Sequence, residues 1–396
     1  MAKLISSFLR LIIVLIISVG SLYAAPTLSP IAEISLLTCD PGQELYSTFG
    51  HSAIRVNDPQ NRIDRVYNYG TFDFNTPNFY LKFCQGKLNY KLDVDNYREF
   101  DYAYKYFKRS FYEDIFDLTQ TQKQAVFDYL EENYKPENRY YLYDFFFDNC
   151  ASRIKDVFVD VLQDSFRLSQ DYTNPELTFR NLIDIYLEGK YWEDFGIDLA
   201  LGSVIDRSAT PEEQMFLPDY LAEGLTASEI LRNGEWVPFV KEEKTLYKAE
   251  EQDNKHSILL HPALIFWLLF LIVGYVSWKE LQSGKRRKGL DITLYIIFGL
   301  AGVIISLLWF ATDHTATGGN FHLLWALPTH LIVGFMLMRK KPEWLKYYAL
   351  VSAILCGITL LGWDWLIQDF NAGILPLVLM IGGRNALIWW MESKED

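Results

Sequence analysis

Residues 147–152 read FDNCAS and place a cysteine at the start of a helical pattern, and residues 49–56 read FGHSAIRV and place a histidine at the start of an apolar strand. An Asp-Asn pair precedes the cysteine, and both residue types cap helices. Cys150 is therefore predicted to lie in the first turn of a helix, where N–H groups and the helix dipole favour the reactive thiolate. His51 is the candidate base for this thiol.

A β-hairpin supplies a candidate third residue. Two strand-like segments follow one another here, and turn-forming residues near positions 59–60 separate them. This turn would place His51 opposite Asn68, and directly opposed side chains lie within about 5 Å on one face of a sheet. Asn68 could then fix the imidazole tautomer in a Cys-His-Asn set. A change of one residue in register would substitute Tyr67 or Tyr69.

The two halves of the chain differ sharply in composition. The 396 residues carry a formal net charge of −13, and 50% of them are hydrophobic. Residues 26–257 are mixed, acidic and rich in tyrosine, which argues against nucleic-acid binding because that function needs a basic face. Residues 258–390 are mostly apolar. We predict an α+β catalytic domain over the first range, a transmembrane helical domain over the second, and a cytoplasmic tail at residues 391–396.

Residues 1–25 have the pattern of an export signal. Lys3 and Arg10 give a positive start, an apolar stretch follows, and the small residues Ala24 and Ala25 lie at its end. The segment is predicted to be either a cleaved signal peptide or a retained N-terminal anchor. Either outcome places the following domain outside the cytoplasm.

The apolar half contains five runs that approach the roughly 20 residues needed to cross a bilayer as a helix. They lie near residues 258–278, 292–310, 323–338, 347–365 and 373–390. The loops that follow the first and third runs are basic and should be cytoplasmic, whereas the loop at residues 312–322 lacks Lys and Arg and should face outward. The pattern predicts a multi-pass inner-membrane protein with about five transmembrane helices and a catalytic domain in the periplasm.

The outward loop contains four polar residues of interest. Asp313, His314, Asn320 and His322 could line a pocket for a lipid headgroup at the membrane interface, or could simply be solvated. Together with His330, the three histidines are spaced by eight residues, which rotates each by about 80° from the last on a helix. They share no tight face, so we predict no metal site and no cofactor.

Two cysteines and two arginines leave alternatives open. Cys39 and Cys84 could pair in an oxidising periplasm or stay free, because disulfide connectivity cannot be deduced from sequence alone. Arg55 and Arg384 could contact a lipid phosphate. The alternatives are that Arg55 points across the sheet or to solvent, and that Arg384 is an interfacial anchor of the last helix.

Four segments carry a resemblance to a known family. Residues 46–55 (YSTFGHSAIR), 67–74 (YNYGTFDF), 148–151 (DNCA) and the outward loop at 312–328 resemble the Lnb family of bacterial lipoprotein N-acyltransferases. More distantly, the order of the histidine before Asn-Cys is similar to the circularly permuted, NlpC-type branch of the papain superfamily, which includes the lecithin-retinol acyltransferases. The resemblance implies a permuted papain-like fold for the periplasmic domain.

The Lnb resemblance also implies a two-step acyl transfer. Cys150 would attack an acyl ester of a membrane phospholipid, with His51 as base, and would give a thioester and a lysophospholipid. The α-amine of a diacylglyceryl-cysteine lipoprotein would then attack the thioester. The implied partners are the phospholipid donor, the diacylated lipoprotein acceptor and the bilayer itself.

Two other functions stay open. A membrane-anchored cysteine amidase or peptidase that acts on cell-wall peptide would use the same thiol and base, with water as the acceptor. A non-enzymatic binding or transport module would not need the thiol of Cys150 at all. The five apolar runs and the many Tyr and Phe residues favour a lipid substrate.

Overall fold

The computed structural model describes residues 26–250, here called the N-terminal domain, and residues 261–394, here called the helical region. The export segment at residues 1–25 and the boundary after residue 257 lie outside the described residues. Those assignments stay predictions.

A seven-stranded antiparallel sheet forms the centre of the N-terminal domain. The ten strands are β1 (Glu33–Cys39), β2 (His51–Asp58), β3 (Ile63–Thr71), β4 (Asn89–Asn96), β5 (Phe111–Phe116), β6 (Tyr140–Leu142), β7 (Phe166–Arg167), β8 (Glu229–Arg232), β9 (Glu235–Pro238) and β10 (Val240–Tyr247). The large sheet has the order β10-β5-β1-β2-β3-β4-β6, and β7, β8 and β9 form a separate three-stranded sheet. The predicted hairpin is therefore the β2–β3 pair at the middle of the large sheet.

Helices cover the sheet and complete an α+β domain, as the sequence predicts. They are α1 (Phe79–Cys84), α2 (Tyr97–Tyr106), α3 (Gln120–Tyr134), α4 (Cys150–Leu162), α5 (Phe179–Leu187), α6 (Tyr191–Ala200), α7 (Pro211–Gln214) and α8 (Pro218–Thr226). Helix α4 packs on β2 and β3. Its residues Ile154, Val157 and Phe158 are buried in the main core, because their spacing of three and four places them on one helix face.

The helical region contains five apolar helices at the predicted positions. They are α9 (Pro262–Ser283), α10 (Lys288–Phe310), α11 (Thr329–Arg339), α12 (Leu345–Leu361) and α13 (Ile374–Glu392). Three of them, α9, α10 and α13, are individually long and apolar enough to cross a membrane. The segments Thr315–Leu324 and Thr329–Arg339 form a pair bent by 45°, and α12 has only 17 residues. Within the described residues three helices, or four with the bent pair, meet the length and composition needed to span a membrane, and the count of five stays a prediction.

The two arginines with open roles are both buried in ion pairs. Arg55 reaches across the sheet, where its Nε lies 2.8 Å from Asp64 and its Nη1 lies 3.0 Å from Glu113. Arg384 lies inside the helical region, with Nε 2.6 Å from the carboxylate of Asp291. Neither guanidinium is placed to bind a lipid phosphate, and Arg384 is not an interfacial anchor. Opposite charges placed in a low-dielectric interior pair with one another because an unpaired buried charge costs several kcal/mol.

The outward loop of the helical region docks on the N-terminal domain. The N–H of Gly202, just after α6, donates to the carbonyl of Ala316 at 2.9 Å. Nearby, Gly202 lies so close to the backbone of Gly318 that a Cβ would overlap that residue's carbonyl oxygen. The absence of a side chain at residue 202 is therefore what lets the two halves meet.

Replacing Gly202 with alanine is expected to weaken this junction. Overpacking of a close backbone contact typically costs about 1–3 kcal/mol, because the neighbouring backbone must shift. Thermal unfolding of the full chain in detergent measures the effect. Gly196→Ala in α6 is the matched control, since a Cβ there meets nothing within 4 Å and alanine favours a helix. Equal unfolding midpoints for the two variants would contradict the prediction.

Candidate active site

Cys150 is the first residue of α4, as predicted, and the residue before it fixes the start of the helix. The Oδ1 of Asn149 accepts the N–H groups of Ala151 and Ser152, each at 2.9 Å. Its Nδ2 donates to the carbonyl of Phe216 at 2.7 Å, which ties the cap to the loop before α8. The thiol is consequently held in one place, with the N-terminal end of the helix behind it.

His51 contacts Asn68, but by a different register from the predicted one. The ladder pairs Ile54 with Tyr67, which is shifted by two residues from the predicted alignment of His51 with Asn68. Side chains alternate between faces with a period of two, so this shift keeps both residues on the same face. Asn68 becomes a diagonal neighbour, and its Oδ1 lies 3.1 Å from the Nε2 of His51.

Asp95 on β4 orients this contact. The Nδ2 of Asn68 donates to the Oδ2 of Asp95 at 2.8 Å, so the amide must present its oxygen to His51. An accepting oxygen requires the proton on Nε2 of His51. His51 and Cys150 also shift each other's pKa, and because Nε2 is engaged by Asn68, Nδ1 is the nitrogen left to interact with the thiol. Asp95 cannot be predicted from sequence, because only the register between β3 and β4 brings it to Asn68.

The electrostatics of the pair favour its charged form. Burial alone raises the pKa of the Cys150 thiol, but the charge and hydrogen bond of His51, with the N–H groups of Ser52 and Ala151, lower that pKa below its ordinary value. Burial alone lowers the pKa of His51, whereas the charge and hydrogen bond of Cys150 and the bond to Asn68 raise it above its ordinary value. Both shifts are in the direction that favours a thiolate beside an imidazolium.

This pairing predicts the pH dependence of Cys150 alkylation. The pKa of Cys150 is lowered, so iodoacetamide should modify its thiolate at a lower pH than it modifies an ordinary thiol, whose pKa is about 8.5. In His51→Ala only burial and the weaker N–H contacts remain, and the alkylation profile should move to higher pH. Intact mass measured between pH 5 and 9 in a Cys84→Ser background gives the rates. A profile that His51→Ala leaves in place would contradict the pairing.

Asp95 is expected to act through Asn68 as a positioning residue. Asp95→Ala removes the acceptor that orients the Asn68 amide, and a small misplacement of a reacting group costs about 10- to 100-fold in rate. The alkylation rate of Cys150 at pH 6 should fall by that factor. Asp95→Asn retains an accepting oxygen and should restore most of the rate. Equal rates in Asp95→Ala and the unmodified protein would refute this role.

An apolar cavity of about 360 Å³ lies over the thiol. Cys150 and His51 form part of its lining, and most of the rest is aromatic, including Tyr90 and Tyr143, whose rings stack at 4.3 Å. Gly70 also lines it, with a φ of 84° and a position where a Cβ would lie 3.5 Å from the Cβ of Cys150. A glycine at this point keeps the space above the thiol open.

Two of the four predicted loop residues lie beside this cavity. His314 lines it, with Nε2 3.2 Å from the carbonyl of Phe83. Asp313 is more than half exposed, and its carboxylate lies 4.0 Å from the Nζ of Lys87. The helical region thus contributes one wall residue to a cavity that otherwise belongs to the N-terminal domain.

The other two loop residues do not reach the cavity. The Nδ2 of Asn320 donates to the carbonyls of Leu199 and Ala200 at 3.0 and 3.2 Å, and so caps the end of α6. His322 is fully buried, with Nε2 3.3 Å from the carbonyl of Asp198. In this structure the polar atoms of Asn320 and His322 join the two halves of the protein and do not face the cavity, and a role of the four loop residues at a lipid headgroup stays a prediction.

The structure also locates the remaining cysteines and the residues that could bind a metal ion. All four cysteines are free, with Cys39 buried and Cys84 exposed, so these two do not form a disulfide. Among the described residues, the one group of acidic, His or Cys ligands close enough to share an ion is Asp184, Asp194 and Asp198. None of the loop histidines belongs to it.

The features so far define a class, namely a membrane-associated α+β protein with a cysteine–histidine pair beneath an apolar cavity. Two family models match the chain, the Lnb N-terminal periplasmic domain over residues 29–184 and the Lnb transmembrane domain over residues 253–396. The chain belongs to the Lnb family, which confirms the predicted resemblance. It is a membrane protein with a periplasmic domain, and the family implies an enzyme. No curated protein and no solved structure gives a match.

Proposed function

We propose that the protein is a lipoprotein N-acyltransferase of the inner membrane. In this proposal an acyl chain moves from a phospholipid, through a thioester on Cys150, to the α-amine of a diacylglyceryl-cysteine lipoprotein. The observation that carries the proposal is the Cys150–His51–Asn68 arrangement at an apolar cavity whose wall includes His314, four residues after a membrane helix. Family membership supports the same reaction class.

The first step forms the acyl-enzyme. The thiolate of Cys150 attacks the ester carbonyl, and the C–O bond to glycerol breaks as the C–S bond is completed. The imidazolium of His51 gives its proton to the departing oxygen, so a neutral lysophospholipid hydroxyl leaves. Asn68 keeps the ring aligned through both changes of protonation, which is the role of the third member in a Cys-His-Asn set.

The second step uses the same groups in reverse. The α-amine of the lipoprotein attacks the thioester carbonyl, and the now neutral His51 takes a proton from the nitrogen. The C–S bond breaks and the thiolate is restored. The product is an amide, which gives a triacylated lipoprotein and an enzyme ready for another donor.

The alternative is a cysteine amidase or peptidase on a circularly permuted papain-like fold. The chain order of the His51 strand before the Cys150 helix is compatible with that fold, which stays a prediction. The lining of the cavity favours a lipid over a peptide, since it is dominated by aromatic side chains such as Phe72 and Tyr90. A peptide would need more polar groups to replace the hydrogen bonds that its backbone makes with water.

The proposal is tested by following the acyl group. Purified full-length protein is reconstituted with phospholipid labelled in its acyl chains and with a synthetic diacylated lipopeptide. We expect equal amounts of labelled N-acyl lipopeptide and lysophospholipid. The matched control is the same lipopeptide with an acetylated α-amine, which should receive no label. Cleavage of the peptide without acyl transfer would overturn the proposal and support the amidase.

A further inference from the structure

One segment beside the cavity presents large apolar side chains outward. Residues 72–84, here called the aromatic segment, include α1, and Phe74, Tyr80, Leu81 and Phe83 are each more than half exposed. Phe79 of the same segment is buried, where it contacts Phe72 and Phe74 and joins the main core. Contiguous exposed apolar side chains of this size mark a surface that meets an apolar partner.

Hydrogen bonds place this segment next to the outer end of a membrane helix. The N–H of Asp313 donates to the carbonyl of Gln85 at 2.8 Å, and His314 contacts the carbonyl of Phe83. Helix α10 ends at Phe310, whose side chain is highly exposed. Three residues of chain span at most about 11 Å, so Asp313, which is hydrogen-bonded to the residue that follows α1, lies within that distance of the end of α10. Trp309, which precedes Phe310, is also exposed, and tryptophan is enriched at the membrane interface.

The catalytic cavity extends to the same exposed surface. Phe72 and Phe83 of the aromatic segment line the cavity together with Cys150. Leu45 and Tyr46, from the loop before β2, line it too and are also exposed. The wall of the cavity therefore combines exposed apolar side chains of the outer surface with the buried residues around the thiol.

The charges near the segment fit a phospholipid surface. Lys82 lies within α1, and Lys87 follows it, more than half exposed and 4.0 Å from the carboxylate of Asp313, while Asp73 is the one acidic residue of the segment itself. Basic side chains beside exposed aromatic ones are the composition of segments that lie in the headgroup layer, where the apolar groups enter the acyl region and the cations meet phosphate.

We propose that the aromatic segment is inserted in the periplasmic leaflet of the bilayer and, with Leu45 and Tyr46, forms the port by which an acyl chain reaches Cys150. The occupant of this surface is membrane phospholipid. The role as a port rests on the proposed acyltransferase function, whereas the insertion itself does not.

Membrane depth is measured at Cys84, the exposed thiol on α1. In a Cys150→Ser background, with Cys39 and Cys356 buried, an environment-sensitive fluorophore is attached to Cys84 of the full-length protein in phospholipid nanodiscs. Lipids with a doxyl group near the headgroup should quench the fluorophore at Cys84 strongly. The quenching should be several-fold weaker in a second variant, in which Cys84→Ser removes that thiol and Ile31→Cys carries the fluorophore instead. Ile31 is the reference position because it is 61% exposed and lies before β1, at the end of the strand away from the site. The other end of β1, at Cys39, is the end that pairs with His51. Equal quenching at the two positions would overturn the insertion.

The role of the aromatic segment as a port is tested by placing a negative charge on its exposed surface. Leu81→Glu should slow acyl-Cys150 formation from long-chain phospholipid in a bilayer at least tenfold, and should slow the reaction with monomeric dihexanoyl phospholipid by a smaller factor, because that donor does not have to be taken from a membrane. Ile31→Glu is the matched control, because Leu81 and Ile31 are similarly exposed, at 57% and 61%. Equal slowing with both donors, or none with either, would refute the port. Absence of acyl-Cys150 in the unmodified protein would instead refute the proposed function, and the quenching result would stand independently.

Discussion

Cys150→Ala should abolish the acyl-enzyme and reduce N-acyl transfer by a factor on the order of 10⁴ or more. The thiol is the group that forms the covalent bond, and no other described cysteine lines the cavity. His51→Ala should cost nearly as much, because it removes both the base and the charge that lowers the pKa of Cys150. Residues that act as a unit are non-additive, so the double variant should be no slower than either single variant.

The measurement is mass spectrometry of a reporter lipoprotein and of the enzyme itself. The unmodified enzyme, incubated with phospholipid and no acceptor, should gain the mass of one acyl chain on Cys150. Cys356→Ala is the matched control, because it makes the same substitution at a buried cysteine of α12 outside the site. A fully triacylated reporter made by Cys150→Ala would contradict the proposed mechanism.

The local features of the site could be predicted from sequence because they depend on neighbours in the chain. Asn149 caps α4, and Cys150 follows it, so the position of the thiol is set within a few residues. His51 begins β2 where its apolar pattern begins. These signals depend on hydrogen bonds between residues that are two to four positions apart in the chain. They can therefore be recognised without knowledge of the tertiary structure.

The predicted contact between His51 and Asn68 is present, but the predicted register of the β2–β3 hairpin is wrong. The strands continue to Asp58 and resume at Ile63, so the turn is centred about one residue later than predicted. When the centre of a hairpin turn moves by one residue, the residue that lies opposite any given position on the other strand changes by two. Because the face of a strand also repeats every two residues, this error preserved the face and the contact.

The non-local parts of the site could not be predicted. Asp95 meets Asn68 only through the pairing of β3 with β4, and His314 meets the cavity only because its loop docks on the N-terminal domain. The same docking buries Asn320 and His322, which sequence alone presents as polar loop residues. Docking of one half on another leaves no periodic pattern in a short polar loop.

The largest expected effect on stability comes from Arg180 at this junction. Its guanidinium is 2% exposed, with Nη1 2.5 Å from Asp198 and Nε 2.7 Å from Asp206. Arg180→Met would leave two buried carboxylates without their counter-charge, and breaking a buried pair in this way costs about 3–5 kcal/mol. Arg167→Met is the matched control, because its pair with Glu229 is exposed and such pairs contribute about 0–1 kcal/mol.

Removal of the Arg180 guanidinium should also destabilise the helical region. Asp198 accepts a hydrogen bond from Asn371 at 3.0 Å through its carboxylate, and its backbone carbonyl contacts His322. Thermal unfolding in detergent should therefore show a much lower midpoint for Arg180→Met than for Arg167→Met. Adding Asp198→Asn and Asp206→Asn removes the uncompensated charges and should recover part of the loss. If the triple variant is no more stable than Arg180→Met, the cost lies in lost packing around the guanidinium and not in the two carboxylates.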